Sequence, residues 1–273
     1  MPYTLDLDQI LKNKMGARAK WVPQFLVNAL KRLIHQDWLN VFIEREGEIT
    51  GVQWVKDCLD YINVKVEVVG AENLPAVDAA PCTFVSNHPL GGADGVALGA
   101  ILGERYDGRI KLFVNDLLMN LHGLAPLCVP VNKTGGQSRR LPELIKAAFD
   151  SENHVVTFPA GLCSRKIDGE IQDLPWKKTF ITKSVETHRD VVPLFFEGKN
   201  SPRFYRIATW CKRLGMKFNL AMLYLPDELV KAGGKTFRVH VGKPIPWQTF
   251  TADKTVQEWT EYVRQQSYSL QNR

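Results

Sequence analysis

Residues 82–102 read CTFVSNHPLGGADGVALGAIL, and this stretch contains the change of pattern that decides the fold. Residues 82–86 form a short apolar run of the kind that makes a buried strand, and a polar, glycine-rich loop follows it. From residue 92 to residue 102 the pattern becomes helical. The order strand, tight loop, helix is the building unit of an α/β fold.

The same alternation of short strands and helices continues on both sides of this stretch. Apolar runs predict further strands at residues 64–69, 110–114, 127–131, 154–158, 191–196 and 237–241. Helical patterns cover residues 138–149, 176–186, 202–214 and 255–271. Short, fully apolar strands separated by helices predict a mostly parallel central sheet that helices cover on both faces.

The chain changes character near residue 62. Before it the pattern is helical: Pro23 opens a periodic stretch that carries Phe25, Leu26 and Leu33, and proline is well placed at the start of a helix. We therefore expect an N-terminal helical region at residues 1–62, with a role in membrane association, and an α/β domain at residues 63–273.

Composition restricts the class of protein. The chain has 273 residues and a formal charge of +6, from 35 Lys and Arg against 29 Asp and Glu, which favours anionic partners. Five cysteines without C-x-x-C spacing argue against a disulfide framework or a zinc site, and we expect a reducing compartment. The N-terminus lacks the apolar core of a signal peptide, and no apolar window is long enough for a membrane span.

His88 lies where the strand at 82–86 delivers its loop, and ligands of open α/β sheets bind at the carboxyl ends of strands. A neutral imidazole there can take the proton of an alcohol while the alcohol attacks a thioester carbonyl. A carboxylate on the other ring nitrogen would stabilise the imidazolium, and Asp94 is the candidate. The alternative is a loop histidine that satisfies a backbone carbonyl, with Asp94 as a helix N-cap.

Four sequence blocks in order resemble the PlsC-like glycerolipid acyltransferase superfamily. Asn87-His88…Asp94 is similar to its N-H-x4-D block, and residues 158–165, FPAGLCSR, are similar to its F-P-E-G-x-x-S-R block. Residues 111–118 with 126–133 resemble its second block, and residues 192–194, VPL, its fourth. The resemblance implies the PlsC-like fold, direct acyl transfer with His88 and Asp94 as catalytic residues, no cofactor, and acyl carrier protein or CoA thioesters as donors. It further implies substrate-binding roles for Asn87, Gly161, Ser164 and Arg165.

Two departures from the family pattern affect the expected site. The spacing is H-x5-D, one residue longer than in the family, and we expect the glycine loop to absorb the extra residue as a bulge. Ala160 stands where the family has Glu in a block that helps hold a phosphate-bearing acceptor, so we expect a different acceptor.

The whole chain is most similar to a branch found in Bacteroidetes, in which some members resemble O-acyltransferases that complete amino-acid lipids such as glycine lipids. We therefore expect transfer to the hydroxyl of a lyso-lipid, with lyso-glycine lipid as the candidate. The alternatives are a 1-acylglycerol-3-phosphate acyltransferase that makes phosphatidic acid, an acyl thioesterase in which His88 activates water, and a non-catalytic lipid-binding protein.

Other residues are weaker candidates. Cys163 is a candidate nucleophile or a small buried residue, and Asn115 with Asp116 follow a strand end as a pocket pair or a helix cap. Arg139 and Arg140 follow residues 134–136, TGG, at a helix start that either binds an anion or is an ordinary surface helix start, and the pattern favours the second. The histidines show no metal-ligand spacing, and we expect no metal site.

Two stretches of the chain are basic and free of acids. Residues 11–36 carry six cations, as do residues 198–226, and both interleave them with aromatic residues such as Trp21 and Trp210. Basic amphipathic helices with aromatic residues are typical of interfacial membrane binding, although acidic acyl carrier protein is an alternative partner. We expect a peripheral protein on an anionic membrane surface, at the cytoplasmic face of the inner membrane, and no nucleic-acid binding, since no such motif is present.

Overall fold

The fold is an α/β sandwich, described here by a computed structural model that covers residues 4–131, 137–216 and 220–272, with the side chains of 137–139 and 272 left aside. The strands in chain order are β1 Lys65–Val69, β2 Thr83–Ser86, β3 Ile110–Asn115, β4 Cys128–Val131, β5 His154–Thr157, β6 Arg165–Ile167, β7 Glu170–Gln172, β8 Val191–Phe196 and β9 Thr236–Val241. The α-helices are α1 Leu7–Met15, α2 Gln24–Leu33, α3 Gln36–Glu46, α4 Val52–Tyr61, α5 Ala93–Arg105, α6 Gln137–Phe149, α7 Thr179–Glu186, α8 Pro202–Arg213, α9 Leu225–Val230 and α10 Val256–Ser269.

Among the described residues, seven strands form the central sheet in the order β1-β9-β8-β2-β5-β3-β4. The neighbours β8, β2, β5, β3 and β4 run parallel, β1 runs parallel to β9, and the β8–β9 pair alone among these pairings is antiparallel. This confirms the predicted fold class. The structure adds a short antiparallel hairpin, β6–β7, that the sequence pattern did not predict.

Helices cover the two faces of the sheet, because successive strand residues point to opposite sides. Phe84 and Val192 belong to the larger core cluster with α4 and α5, whereas Val85 and Val191 belong to a second cluster with α7 and α10. All four side chains are fully buried. The parallel strands are therefore apolar on both sides, as their uninterrupted sequence runs predicted.

The larger core cluster crosses the boundary that the sequence suggested near residue 62. Phe42, Trp54 and Val55 from α3 and α4 pack in one cluster with Phe84 and Leu98 from the α/β part. The division into residues 1–62 and 63–273 stays a prediction as regards function, but the helices before residue 63 share their core with the sheet.

Candidate active site

The site lies at the carboxyl ends of β2, β5 and β8. Asn87, the first residue after β2, binds the main chain at the end of β8: its Nδ2 donates to the Phe196 carbonyl at 3.0 Å, and its Oδ1 accepts from the Phe196 N–H at 2.6 Å. The His88 ring stacks on Phe158, which follows β5, with 4.1 Å between ring centroids. These contacts hold the start of the loop over the edge of the sheet.

His88 and Asp94 form a hydrogen-bonded pair. His88 Nδ1 lies 3.0 Å from Asp94 Oδ2, and the Asp94 side chain is fully buried while that of His88 is 16% exposed. Nε2 has no hydrogen-bond partner within the part of the chain that the structure describes. One ring nitrogen is thus held by a carboxylate and the other is left for a reacting group, as a general base requires.

The longer His–Asp spacing is absorbed by a tight turn at Gly91. Gly91 has φ of +78°, and a Cβ built there would lie 2.8 Å from Leu225 Cδ2 and 3.1 Å from Cys163 Cβ. The turn directs the backbone N–H groups of Leu90 and Gly91 at Asp94 Oδ2, at 3.0 and 3.2 Å. The turn therefore brings the Asp94 carboxylate, which belongs to the first turn of α5, against the imidazole.

Opposing effects set the charge state of the pair. Burial disfavours the imidazolium, but the charge and hydrogen bond of Asp94 outweigh it, so the pKa of His88 is raised above its ordinary value. Burial likewise opposes ionisation of Asp94, and its contacts with His88, Leu90 and Gly91 hold the pKa of that carboxyl below its usual range. The pair favours a carboxylate and an imidazole that accepts a proton readily.

Arg165 opens β6 beside the pair. Its Nη1 donates to the Cys163 carbonyl at 2.5 Å and contacts Cys163 Sγ at 3.0 Å, and its guanidinium lies over the Phe204 ring of α8, 5.5 Å from the centroid. Nη2 is buried and has no partner among the described residues. Arg165 is close enough to His88 to oppose protonation of its imidazole. A buried guanidinium nitrogen without an acceptor suits an anionic group of a ligand.

The other predicted substrate-binding residues lie near this pair, and their substrate contacts stay predictions. The Ser164 hydroxyl donates to Asp173 Oδ1 at 2.6 Å, and the Asn87 amide is engaged by Phe196. Gly161 has φ of +69°, and a Cβ there would meet Lys177 Nζ at 2.3 Å. A cavity of about 440 Å³ borders the His88 loop, with Asn87, Pro89, Ser164, Phe195, Lys199 and Tyr268 among its lining residues.

Asp173 is the member of this cluster that the sequence reasoning missed. Its carboxylate is buried and accepts hydrogen bonds from the His88 main chain, Ser164 and Trp176. It follows β7 in a polar segment outside the family blocks, and the sequence around it, with Asp168 and Glu170 nearby, does not distinguish it from a solvated acid.

The weaker candidates occupy separate positions. Cys163 is buried, and burial raises the pKa of its thiol, which does not favour a nucleophile. Asn115 accepts a hydrogen bond from the Leu117 N–H as a cap, and Asp116 pairs with Lys14 at 2.6 Å. Residues 133–136, the Arg139 side chain and Lys217 lie outside the described residues, and Arg140 is exposed.

The two basic stretches meet on one side of the molecule, because α2 and α8 both pack against residues Leu220–Tyr224. We call eight of their exposed side chains the basic rim: Arg18, Lys20, Trp21, Phe25, Arg203, Arg206, Trp210 and Arg213. Trp21, Phe25 and Trp210 are 87%, 69% and 62% exposed. Arg203, Arg206, Trp210 and Arg213 recur at the spacing of one helix face, opposite the buried Phe204 and Ala208.

The basic rim and the His88 loop are joined by one cluster. Cys163, Phe204 and Ala221 are buried together, with Leu225 packed against them. Leu225 also touches the site of the Gly91 turn. Within residues 4–131, 137–216 and 220–272, no helix combines the length and the apolar character needed to cross a bilayer.

A sequence model of a family described as acyltransferase matches residues 9–273. The chain belongs to this acyltransferase family. The match confirms the relationship that the four blocks predicted, and it identifies the protein as an enzyme that transfers acyl groups.

Two similar proteins are named lyso-glycine lipid O-acyltransferases. The protein of Phocaeicola vulgatus is 57% identical over 98% of this chain and 95% of its own length. That of Bacteroides thetaiotaomicron is 54% identical over 98% of both chains. The structure also superposes on the crystal structure of the 1-acyl-sn-glycerophosphate acyltransferase PlsC from Thermotoga maritima, with a TM-score of 0.49 and 14% identity over 97% of this chain and 95% of that chain.

Proposed function

We propose that this acyltransferase moves a fatty acyl group from a thioester donor to the free hydroxyl of lyso-glycine lipid. The observation that carries the chemistry is the His88–Asp94 pair, with 3.0 Å between Nδ1 and Oδ2 and a partly exposed imidazole. The acceptor is taken from the two relatives, which are 57% and 54% identical over nearly the whole chain.

In the proposed reaction His88 Nε2 removes the proton of the acceptor hydroxyl while its oxygen attacks the thioester carbonyl carbon. The imidazolium that forms is stabilised by the Asp94 carboxylate on Nδ1. The tetrahedral intermediate then collapses, the carbon–sulfur bond breaks, and the proton passes from the imidazolium to the departing sulfur. The products are an ester and a free thiol, and no acyl-enzyme is needed. No cofactor takes part in these steps.

Arg165 supports an acceptor with a compact anionic group. Glycine attached through its nitrogen to a fatty chain retains a carboxylate, and a guanidinium matches a carboxylate in geometry and charge. The unpartnered Nη2 of Arg165 provides a donor close to His88. Ala160, which stands in place of the family glutamate, is buried in the loop between β5 and β6 and contributes no charge.

The basic rim supports work at a membrane surface. Interfacial binding combines cations for anionic lipid with aromatic residues that insert among the headgroups, and the rim has both. We propose a peripheral enzyme at the cytoplasmic face of the inner membrane, with acyl carrier protein or CoA thioesters as donors.

The test is an assay of the purified protein with acyl carrier protein and CoA thioesters in parallel. Lyso-glycine lipid, lysophosphatidic acid and no acceptor are compared, with thiol release and mass spectrometry of the lipid as readouts. We expect thiol release to require lyso-glycine lipid and a doubly acylated product to form. Thiol release without acceptor would identify a thioesterase, and preferred formation of phosphatidic acid would overturn the proposed acceptor.

Arg165→Lys tests the headgroup contact separately. Lysine keeps the charge but loses the planar fork, so we expect KM for lyso-glycine lipid to rise more than kcat falls. Arg140→Lys, at an exposed position, is the matched control. An unchanged KM in Arg165→Lys would remove this residue from acceptor binding.

A further inference from the structure

Asp173 lies behind the His88 loop, and the proposed reaction assigns it no step. It is 2% exposed and follows β7, near the carboxyl ends of β2 and β8. A buried carboxylate is costly unless donors satisfy it, so each of its contacts constrains what the residue does.

A closed ring of hydrogen bonds joins Asp173, His88 and Ser164. Asp173 Oδ1 accepts from the His88 N–H at 3.2 Å and from the Ser164 hydroxyl at 2.6 Å. The Ser164 N–H in turn donates to the His88 carbonyl at 2.7 Å. Both main-chain polar groups of His88 are therefore held, one by the carboxylate and the other by the residue that the same carboxylate binds.

Two further contacts fix Asp173 itself. Trp176 Nε1 donates to Asp173 Oδ2 at 2.9 Å, and the Asp173 N–H donates to the Tyr268 hydroxyl of α10 at 2.9 Å. Among the described residues, the three groups that hydrogen-bond to the carboxylate are all donors. An ionised carboxylate satisfies them together, whereas an amide in its place would set an NH₂ group against one of the donors.

Asp173 also contributes charge near the imidazole. Burial lowers the pKa of His88, Asp94 raises it most among the charged groups, Asp173 raises it further, and Arg165 lowers it. Burial raises the pKa of Asp173 above its ordinary value, and its hydrogen bonds with Ser164, Trp176 and His88 offset only part of that shift. The donors from His88, Ser164 and Trp176 favour the ionised form of Asp173, and in that form the ring combines a fixed geometry with a second negative charge.

We propose that Asp173 is a positioning residue for acyl transfer. It holds the His88 main chain and the Ser164–Arg165 segment in a fixed position relative to each other. Because Ser164 precedes Arg165 directly, the ring sets where the base and the guanidinium lie relative to each other. The inference rests on the proposed function for the identity of the acceptor, but the hydrogen-bonded ring is present without any substrate.

The test uses Trp176→Phe as the reference, because removing the indole N–H lets an amide replace the carboxylate without opposing a donor. Asp173→Asn in the Trp176→Phe background then keeps acceptors for His88 and Ser164 and removes the charge. Asp173→Ala removes the ring as well. The His88 titration is followed by NMR of histidine-labelled protein without substrate, with His88→Gln to assign the resonance, beside kcat and KM over a range of pH.

We expect the His88 midpoint, and with it the acid limb of kcat/KM, to move to lower pH in the Asp173→Asn variant relative to its reference. Asp173→Ala is expected to lower kcat about 100-fold, with a smaller change in KM, because the base is misplaced. Should Asp173→Ala not fold, Ser164→Ala opens the ring at its other corner and is expected to lower kcat to a smaller extent.

An unchanged His88 midpoint together with unchanged kcat would overturn the proposal. So would variants that lose thermal stability while the folded fraction keeps the reference midpoint and kcat, since that pattern indicates a purely structural role. Because the midpoint is measured without acceptor, a wild-type protein that does not acylate lyso-glycine lipid refutes the proposed acceptor and leaves the ring testable.

Discussion

The His88 site and the basic rim use polar residues in opposite ways. In the site, Asp94 and Asp173 are buried and each accepts several hydrogen bonds of fixed direction. In the rim, Arg206, Trp210 and Arg213 extend into solvent from the outer face of α8. The site depends on fixed distances between atoms. The rim depends only on the presence of cations and aromatic side chains on one side of the molecule.

This difference predicts how each region responds to substitution. A buried, hydrogen-bonded carboxylate loses its function when a single atom is changed, because the donors around it are left unsatisfied. Exposed cations act nearly independently on a charged surface, so their effects should be small singly and accumulate. The same type of charge-removing substitution should therefore be severe in one region and graded in the other.

The largest effect is expected for His88→Gln. Loss of the base should lower kcat about 10³-fold, because general base catalysis typically contributes 10²–10⁴-fold. Flotation with anionic liposomes should match the wild type, since the basic rim is unchanged. Activity within a few-fold of the wild type would exclude His88 as the base.

Asp94→Asn should come next, with a fall in kcat of about 10²-fold and a folded protein. Asp94 raises the pKa of His88, and the base acts only when neutral, so wild-type kcat/KM should rise with pH through a midpoint above about 6.5. Without the carboxylate charge, burial dominates and the midpoint should move to lower pH. Near-normal turnover with an unshifted midpoint would remove Asp94 from the catalytic pair.

A graded effect is expected when cations of the basic rim are removed. Arg206→Gln with Arg213→Gln should weaken partition onto anionic liposomes about 30-fold, since each cation contributes on the order of 1 kcal/mol. Lys243→Gln is the control, because Lys243 is exposed near the opposite end of β8. Equal partition of the double variant and the control, in a flotation assay, would separate the rim from membrane binding.

The smallest effect is expected from the turn that places Asp94. Gly91→Ala should lower the free energy of unfolding by about 1–3 kcal/mol, because a side chain at φ of +78° is strained and meets Leu225. Gly99→Ala is the control, because Gly99 lies inside α5 and the nearest atoms to a Cβ there, in the Val55 side chain, are at an ordinary contact distance of 3.8 Å. Denaturant unfolding and kcat of both variants should show the loss in Gly91→Ala alone, and equal losses would contradict the role of the Gly91 turn.

Much of the fold was predictable because its strands are apolar on both sides. The apolar runs at 82–86 and 191–196 predict buried strands, and the structure has both strands within one residue of those bounds. The β6–β7 hairpin was not predicted, since strands of three residues are too short to show alternation. Helix α9 was not predicted either, because its six residues are too few to show a helical periodicity.

The site was predictable to the extent that it is local in sequence. His88 and Asp94 lie six residues apart, one in the loop after β2 and the other in the first turn of α5, so the sequence pattern alone predicts that they are close. Asp173 binds the His88 main chain across 85 residues of sequence, and only the tertiary fold creates that contact. Convergence of the two basic stretches likewise depends on packing against residues 220–224, which no periodicity reveals.

The contact between Trp54 of α4 and Gly123 has a consequence for how the protein can be divided. A Cβ at Gly123 would lie 2.0 Å from the indole, and the Gly51 N–H donates to the Gly123 carbonyl at 2.7 Å. Truncation of the first 62 residues would remove part of the apolar core that packs on the sheet, and we expect the remaining chain to aggregate. The basic rim and the His88 site thus belong to a single folding unit, and only point substitutions can separate their roles.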